Sequence, residues 1–110
     1  MARLLMARFD IYANPGRNQA GIPYLVDVQN NVISGLATRI VVPLRILGTF
    51  AAAELPADLC PMIPVDGVDH FLDTAQLGAI PASELKALVG SARDHQFAIQ
   101  AALERALGAY

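Results

Sequence analysis

The chain has 110 residues, of which 55% are apolar and 16% charged, and its net charge is -2. That length suits one domain with a single core, and a charged fraction well below the roughly 25% of an average soluble domain leaves apolar surface over for self-association. The few Lys and Arg residues form no basic stripe, which argues against direct nucleic-acid binding, and Pro, Gly or charge breaks every apolar run short of the roughly 20 residues that span a membrane.

In chain order, Met1-Ala2-Arg3-Leu4-Leu5 is too short to supply the apolar region of a signal peptide before Arg8 and Asp10 intervene. Phe9-Asp10-Ile11-Tyr12 alternates as a first strand does, and Asn14-Pro15-Gly16 breaks it into a loop that runs to Gly21. In the next strand Tyr24, Val26 and Val28 share one face while Leu25, Asp27 and Gln29 share the other, the pattern of a half-buried strand. Asn30-Asn31 and Ser34-Gly35 mark bends around Val32-Ile33, after which the β-branched run over residues 38–42 restores a strand. Pro43 lacks a ladder donor and is expected at a strand end, an edge or a bulge. Residues 44–55 fit either a short helix or irregular chain, closed by Pro56 and Pro61.

Asp66-Gly67 lies between Met62-Ile63-Pro64-Val65 and Val68-Asp69-His70-Phe71-Leu72, and predicts a two-residue type I′ hairpin. Residues 83–89 read as a short helix ended by Gly90. A longer helix follows, with Ser91 as N-cap and Asp94 in a box-like position three residues on. His95, Ile99, Ala102, Leu103 and Ala106 form its packed face, Arg93, Gln96, Gln100 and Glu104 its solvated one, and Gly108 its terminator. Strands followed by a terminal helix, without βαβ alternation, imply an α+β domain on an antiparallel, partly barrelled sheet.

The strand Leu25-Val26-Asp27-Val28-Gln29, the loop residue Ile33 and the strand Val42-Pro43-Leu44 occur in the order and near the spacing found in the CcdB toxins, and the chain resembles that family. Met6, Phe9, Ile11 and Tyr12 match the family's opening. Residues 1–5, whose Met1-Ala2-Arg3 is repeated by Met6-Ala7-Arg8, are therefore expected to be a disordered extension before one toxin domain over residues 6–110. The resemblance implies an SH3-like barrel variant with a small accessory hairpin sheet, a C-terminal helix and a homodimer. It further implies a cytoplasmic bacterial toxin that binds the DNA gyrase A subunit, traps the cleaved complex and is neutralised by a CcdA-like antitoxin.

No catalytic pattern competes with this reading. Asp66, Asp69, His70 and Asp73 contain metal-ligand types, but Asp69 and Asp73 share a strand face that His70 does not, and the turn explains Asp66. His95 has no nucleophile at a useful spacing; Ser34, Ser83 and Ser91 suit turns and caps. Cys60, the single cysteine, reads as a small buried hydrophobe in a reducing compartment. Asp27 must find water or a donor, and Arg39 on the neighbouring strand is a candidate partner. No phosphate-cradling glycine loop is present and no cofactor is expected.

In the family, the last three residues, a tryptophan, a glycine and an isoleucine, engage gyrase. This chain ends Leu107-Gly108-Ala109-Tyr110, so these four are the expected gyrase-binding residues, with Gly108 matching the family glycine and Leu107 in the tryptophan's place. Two alternatives are a CcdB-like, antitoxin-binding protein without gyrase poisoning and a ribonuclease of the MazF type. Antitoxin contacts are not assigned; the loop over residues 14–21 and the exposed parts of the terminal helix are candidates.

Overall fold

The computed structural model describes residues 6–31, 36–48 and 54–108. Among the described residues seven strands, β1 (Asp10–Ala13), β2 (Tyr24–Asp27), β3 (Thr38–Ile46), β4 (Met62–Val65), β5 (Val68–Leu72), β6 (Gly78–Pro81) and β7 (Leu88–Ser91), precede one α-helix, α1 (Gln96–Leu107). All pair antiparallel in the order β4-β5-β3-β2-β1-β7, with β6 beside β3. The result is a curled half-barrel closed by a C-terminal helix, an α+β fold of SH3-like type. The expected hairpin is β4–β5, hydrogen-bonded to the main sheet through β5. Val65 faces Val68 across Asp66 (φ 52°) and Gly67 (φ 76°), the two positive φ values that a type I′ turn needs.

β3 is long because it serves two neighbours along one edge: residues 38–41 pair with β6 and residues 44–46 with β5, while β2 takes the other edge. This corrects the expectation for Pro43. It lies inside β3, where a missing donor is tolerated because it falls in the gap between β6 and β5; its carbonyl accepts the Asp73 N–H at 2.9 Å. Of the three strands with a single neighbour, β4 and β7 are poor templates for further pairing. Pro61 precedes β4 and Pro64 lies within it, while β7 is short and its register with β1 slips between Ile11 and Tyr12.

Two cores lie on opposite faces of the sheet. Ile11, Val26, Val42 and Leu44 pack with Ile63, Leu72, Ile99 and Ala102 under α1. Tyr12, Leu25 and Val41 pack on the reverse face with Leu85, Met6, Ile22 and Ile80. The half-buried strand expected at β2 is therefore buried on both sides, because the β6–β7 connection folds across its second face.

Residues 83–89 are not a helix. Ala82–Glu84 form a single 3-10 turn and Leu88–Ser91 are β7, held where Ala13 N–H donates to Ala87 O and Ala92 N–H to Phe9 O. The free edge of β1 offers these residues a hydrogen-bonded ladder that a short isolated helix cannot match. Ser91 consequently ends a strand instead of capping α1. Its hydroxyl accepts the Arg93 N–H at 3.1 Å, and Arg93–His95, Asp94 among them, make a 3-10 turn before α1. Residues 44–46 extend β3; residues 49–53 lie outside the described residues, as do residues 1–5 and 32–35.

Within the second core, Arg39 grips Asp27 with two bonds, Nε to Oδ2 at 2.7 Å and Nη2 to Oδ1 at 2.9 Å, both side chains being shut off from water. Asp27 Oδ1 also accepts the Gln29 N–H, and Gln29 Oε1 accepts the Ile40 N–H, so the polar chain stitches β2 to β3. Arg39 Nη1 is buried without a hydrogen-bond partner. Breaking a buried pair strands a charge, whereas replacing both members removes the desolvation cost. Arg39→Met should therefore lower stability by about 3–5 kcal/mol, and Asp27→Leu combined with Arg39→Met should recover most of that loss, both read from urea midpoints.

Burial pushes the Asp27 carboxyl above its ordinary value of 3.8, as does the neighbouring Asp10 charge, against the opposite pulls of Arg39 and the Gln29 N–H. A carboxyl with a raised folded pKa holds its proton more tightly in the native state. Its share of the stability is then fullest below the unfolded value and is lost as pH rises through the folded one. Urea midpoints measured upward from pH 4 should show this fall in the native sequence and lack it in the double variant.

Candidate protein-docking site

The face of α1 that meets the sheet carries Ile99 and Ala102, both fully buried, with Leu103 partly packed beside them. Towards its end the helix leaves the core. Leu107 is 70% exposed, and Arg105 Nε reaches Asp58 Oδ2 at 3.0 Å in an exposed pair of little energetic weight. Gly108 ends the helix as expected: its N–H donates to Glu104 O at 2.8 Å, and its φ of 77° suits a residue without a Cβ.

Two concavities flank this tip. One, of about 460 Å³, lies between α1 and the ends of β2 and β3, with Val28, Ile40, Leu77, Leu103 and Leu107 on its walls and Arg8 and Glu104 as its charged members. The other, of about 420 Å³, is bounded by Leu59, Thr74, Ala75 and Arg105. Leu77 and Leu107 belong to both, so Leu107 stands as a ridge between two hollows. An apolar ridge with adjoining hollows is suited to shape-complementary protein contact.

Of the four expected gyrase-binding residues, Leu107 and Gly108 are thus at an exposed tip, while Ala109 and Tyr110 lie outside the described residues. Arg8, Ile40 and Leu77 were not foreseen as members of the site. They come from three separate stretches of chain and share no local pattern; only the fold brings them together. The loop after β1 is internally braced: the Asn14 side-chain amide donates to Arg17 O and Ile22 O, and that of Gln19 to Asn14 O and Gly16 O.

The residues weighed for chemistry do not converge. His70 is buried against the Tyr24 ring, with Nδ1 2.8 Å from Val68 O, and Asp73 accepts Arg45 Nε at 2.6 Å. Asp66, Asp69, Ser83 and Ser91 are exposed, His95 is half-buried before α1, and Ser34 lies outside the described residues. Burial pushes the Cys60 thiol up, reinforced by the Asp73 charge, which opposes thiolate formation. Among the described residues no three His, Cys, Asp or Glu side chains gather as metal ligands, and no helix is long and apolar enough to cross a membrane.

Comparison with known proteins gives two positive findings. A solved structure described as an endoribonuclease in complex with its cognate antitoxin, from Mycobacterial species, superposes with a TM-score of 0.71, covering 96% of this chain and 97% of that one. At 20% identity that likeness concerns the fold. No curated protein sequence matches. The family model described as CcdB protein matches residues 8–108, a span that contains all seven strands and the helix. The chain belongs to the CcdB family, and with it to the toxins of toxin–antitoxin systems.

Proposed function

We propose that this protein acts by stoichiometric binding, as a homodimeric toxin whose paired α1 tips engage the DNA gyrase A subunit and hold gyrase in its cleaved state until a CcdA-like antitoxin removes it. The exposure of Leu107 at the end of an otherwise packed helix carries this reading. A wedge that favours one state of a cycling enzyme shifts a population without making or breaking a bond. Residues 107–110 are the contacts, residues 6–110 the toxin domain, and the bacterial cytoplasm, where gyrase works, the place of action.

The first hollow supports the homodimer. It lies beside a protruding Leu107, and it has one cation, Arg8, and one anion, Glu104. A two-fold axis that set the Ile40 walls of the two hollows against each other would bring the Arg8 of one copy towards the Glu104 of the other and leave both Leu107 tips open to gyrase, as an isologous contact allows. The native chain should sediment as a dimer at micromolar concentration. Ile40→Glu, which places a charge on a partly exposed wall of the hollow, should sediment as a folded monomer.

Leu107 in place of an aromatic anchor lowers the expected gyrase affinity by more than tenfold, from ~2 kcal/mol or more. Leu107→Trp should accordingly tighten binding to purified gyrase A about tenfold, and Leu107→Ala should weaken it, both measured by calorimetry. Native protein that neither binds gyrase A nor raises cleaved-complex levels overturns gyrase poisoning. Harmless expression would then favour the antitoxin-binding reading, which the absent tryptophan supports. RNA cleavage by the pure protein would favour the ribonuclease reading, to which the likeness to an endoribonuclease fold lends support.

A further inference from the structure

Phe9 is buried, with 4% of its surface exposed, and has a φ of 75°. It occupies the third place of a turn closed by Asp10 N–H donating to Ala7 O at 3.1 Å, with Asp10 Oδ2 accepting the Ala7 N–H at 3.0 Å. A positive φ at that place is the hallmark of a type II turn, where glycine is the ordinary occupant. A bulky side chain there stores backbone strain, which persists only where the surroundings over-determine it.

The surroundings do so here. The Phe9 N–H donates to Asp27 O at 2.6 Å and the Phe9 carbonyl accepts the Ala92 N–H at 2.7 Å. The ring packs in the cluster that holds Ala92, Ile99 and Ala102, and the Arg8 guanidinium lies 4.9 Å from its centre. Ala92 is the corner of the chain, following β7 and preceding the 3-10 turn that leads into α1. The unusual φ turns the Phe9 carbonyl towards that corner; an ordinary φ would swing it away.

We propose that Phe9 is a positioning residue: its strained backbone aims a carbonyl at Ala92, and that bond fixes the angle at which α1 leaves the sheet and therefore where its tip is presented. The other fixings of α1 lie on one face, through Ile99, Ala102 and the partly packed Leu103. Only Ile99 and Ala102 are buried along it, and its ion pair to Asp58 is exposed. Twelve helical residues make a lever of about 18 Å, so a rotation of about 10° at the corner moves Leu107 by about 3 Å. That displacement exceeds what a docking contact tolerates. The link to docking rests on the proposed function, whereas the setting of the helix angle does not.

The test replaces the Ala92 amide by an ester through semisynthesis, which removes the donor to Phe9 and leaves every side chain in place. Residual dipolar couplings of α1 amides relative to those of β2 and β3 report the helix angle. The ester should rotate α1 by about 10° with an unchanged sheet, and should weaken gyrase A binding at least tenfold. Ile63→Val, which trims the same core away from the corner, should lower the urea midpoint and leave the angle and the gyrase affinity unchanged. An unmoved helix in the ester, or an equal rotation in Ile63→Val, overturns the proposal. Native protein that never binds gyrase A overturns the proposed function instead, and the couplings still decide the role of Phe9.

Discussion

A carboxylate and a guanidinium sealed between β2 and β3 hold the centre of this protein together. Asp27 and Arg39 lie on the face of the sheet away from α1, where two-sided burial leaves them no water. Such a pair gives little net stability against an apolar replacement, but it accepts few geometries. Asp27 must stand where two guanidinium nitrogens reach it, and Gln29 must stand where its backbone N–H meets the same carboxylate. The relative register of β2 and β3 follows from these bonds, since a slip by one residue would carry Asp27 to the opposite face. All the other pairings are built outward from these two strands.

Because β2 and β3 are covered on both sides, the second face needs a lid, and the chain between β6 and β7 supplies it through Leu85. That excursion returns the chain to β1 as β7 and delivers it to the corner from which α1 departs. The helix covers the first face and then outruns it. Its final turn leaves the core, and Leu107 stands in solvent between two hollows. The candidate site thus comes from geometry, as the overhang of a helix longer than the surface it covers, and contains no cluster of reactive groups.

The parts of this fold legible in the amino-acid order are those fixed by neighbours close in the chain. Asp66-Gly67 names its turn, the alternation around Tyr24 to Gln29 names a strand, and Ile99, Ala102 and Leu103 name the inner face of α1. β7 looks helical in the sequence because Leu85, Leu88 and Val89 have helical spacing, while the β1 edge that claims residues 88–91 exists only after the sheet forms. β6, with Gly78 and Pro81, carries no strand signal of its own and is a strand because β3 has a vacant edge there. At the tip, Leu107 and Gly108 could be anticipated from the family's ending; Arg8, Ile40 and Leu77 could not, since nothing local joins them. Phe9 reads as part of a strand in the sequence, and its backbone conformation is the reverse of what its side chain suggests.

The sheet's unpaired borders bear on how a chain so rich in apolar residues avoids stacking strand on strand. Prolines at one border remove the donors an incoming strand would need, and at the other a shifted register twists a very short strand out of line. Border-to-border stacking at β4 and β7 is thereby suppressed. Association is turned towards side-chain surfaces such as the end of α1, where shape selects the partner, so that contact can be discriminating with less hazard of open-ended polymerisation.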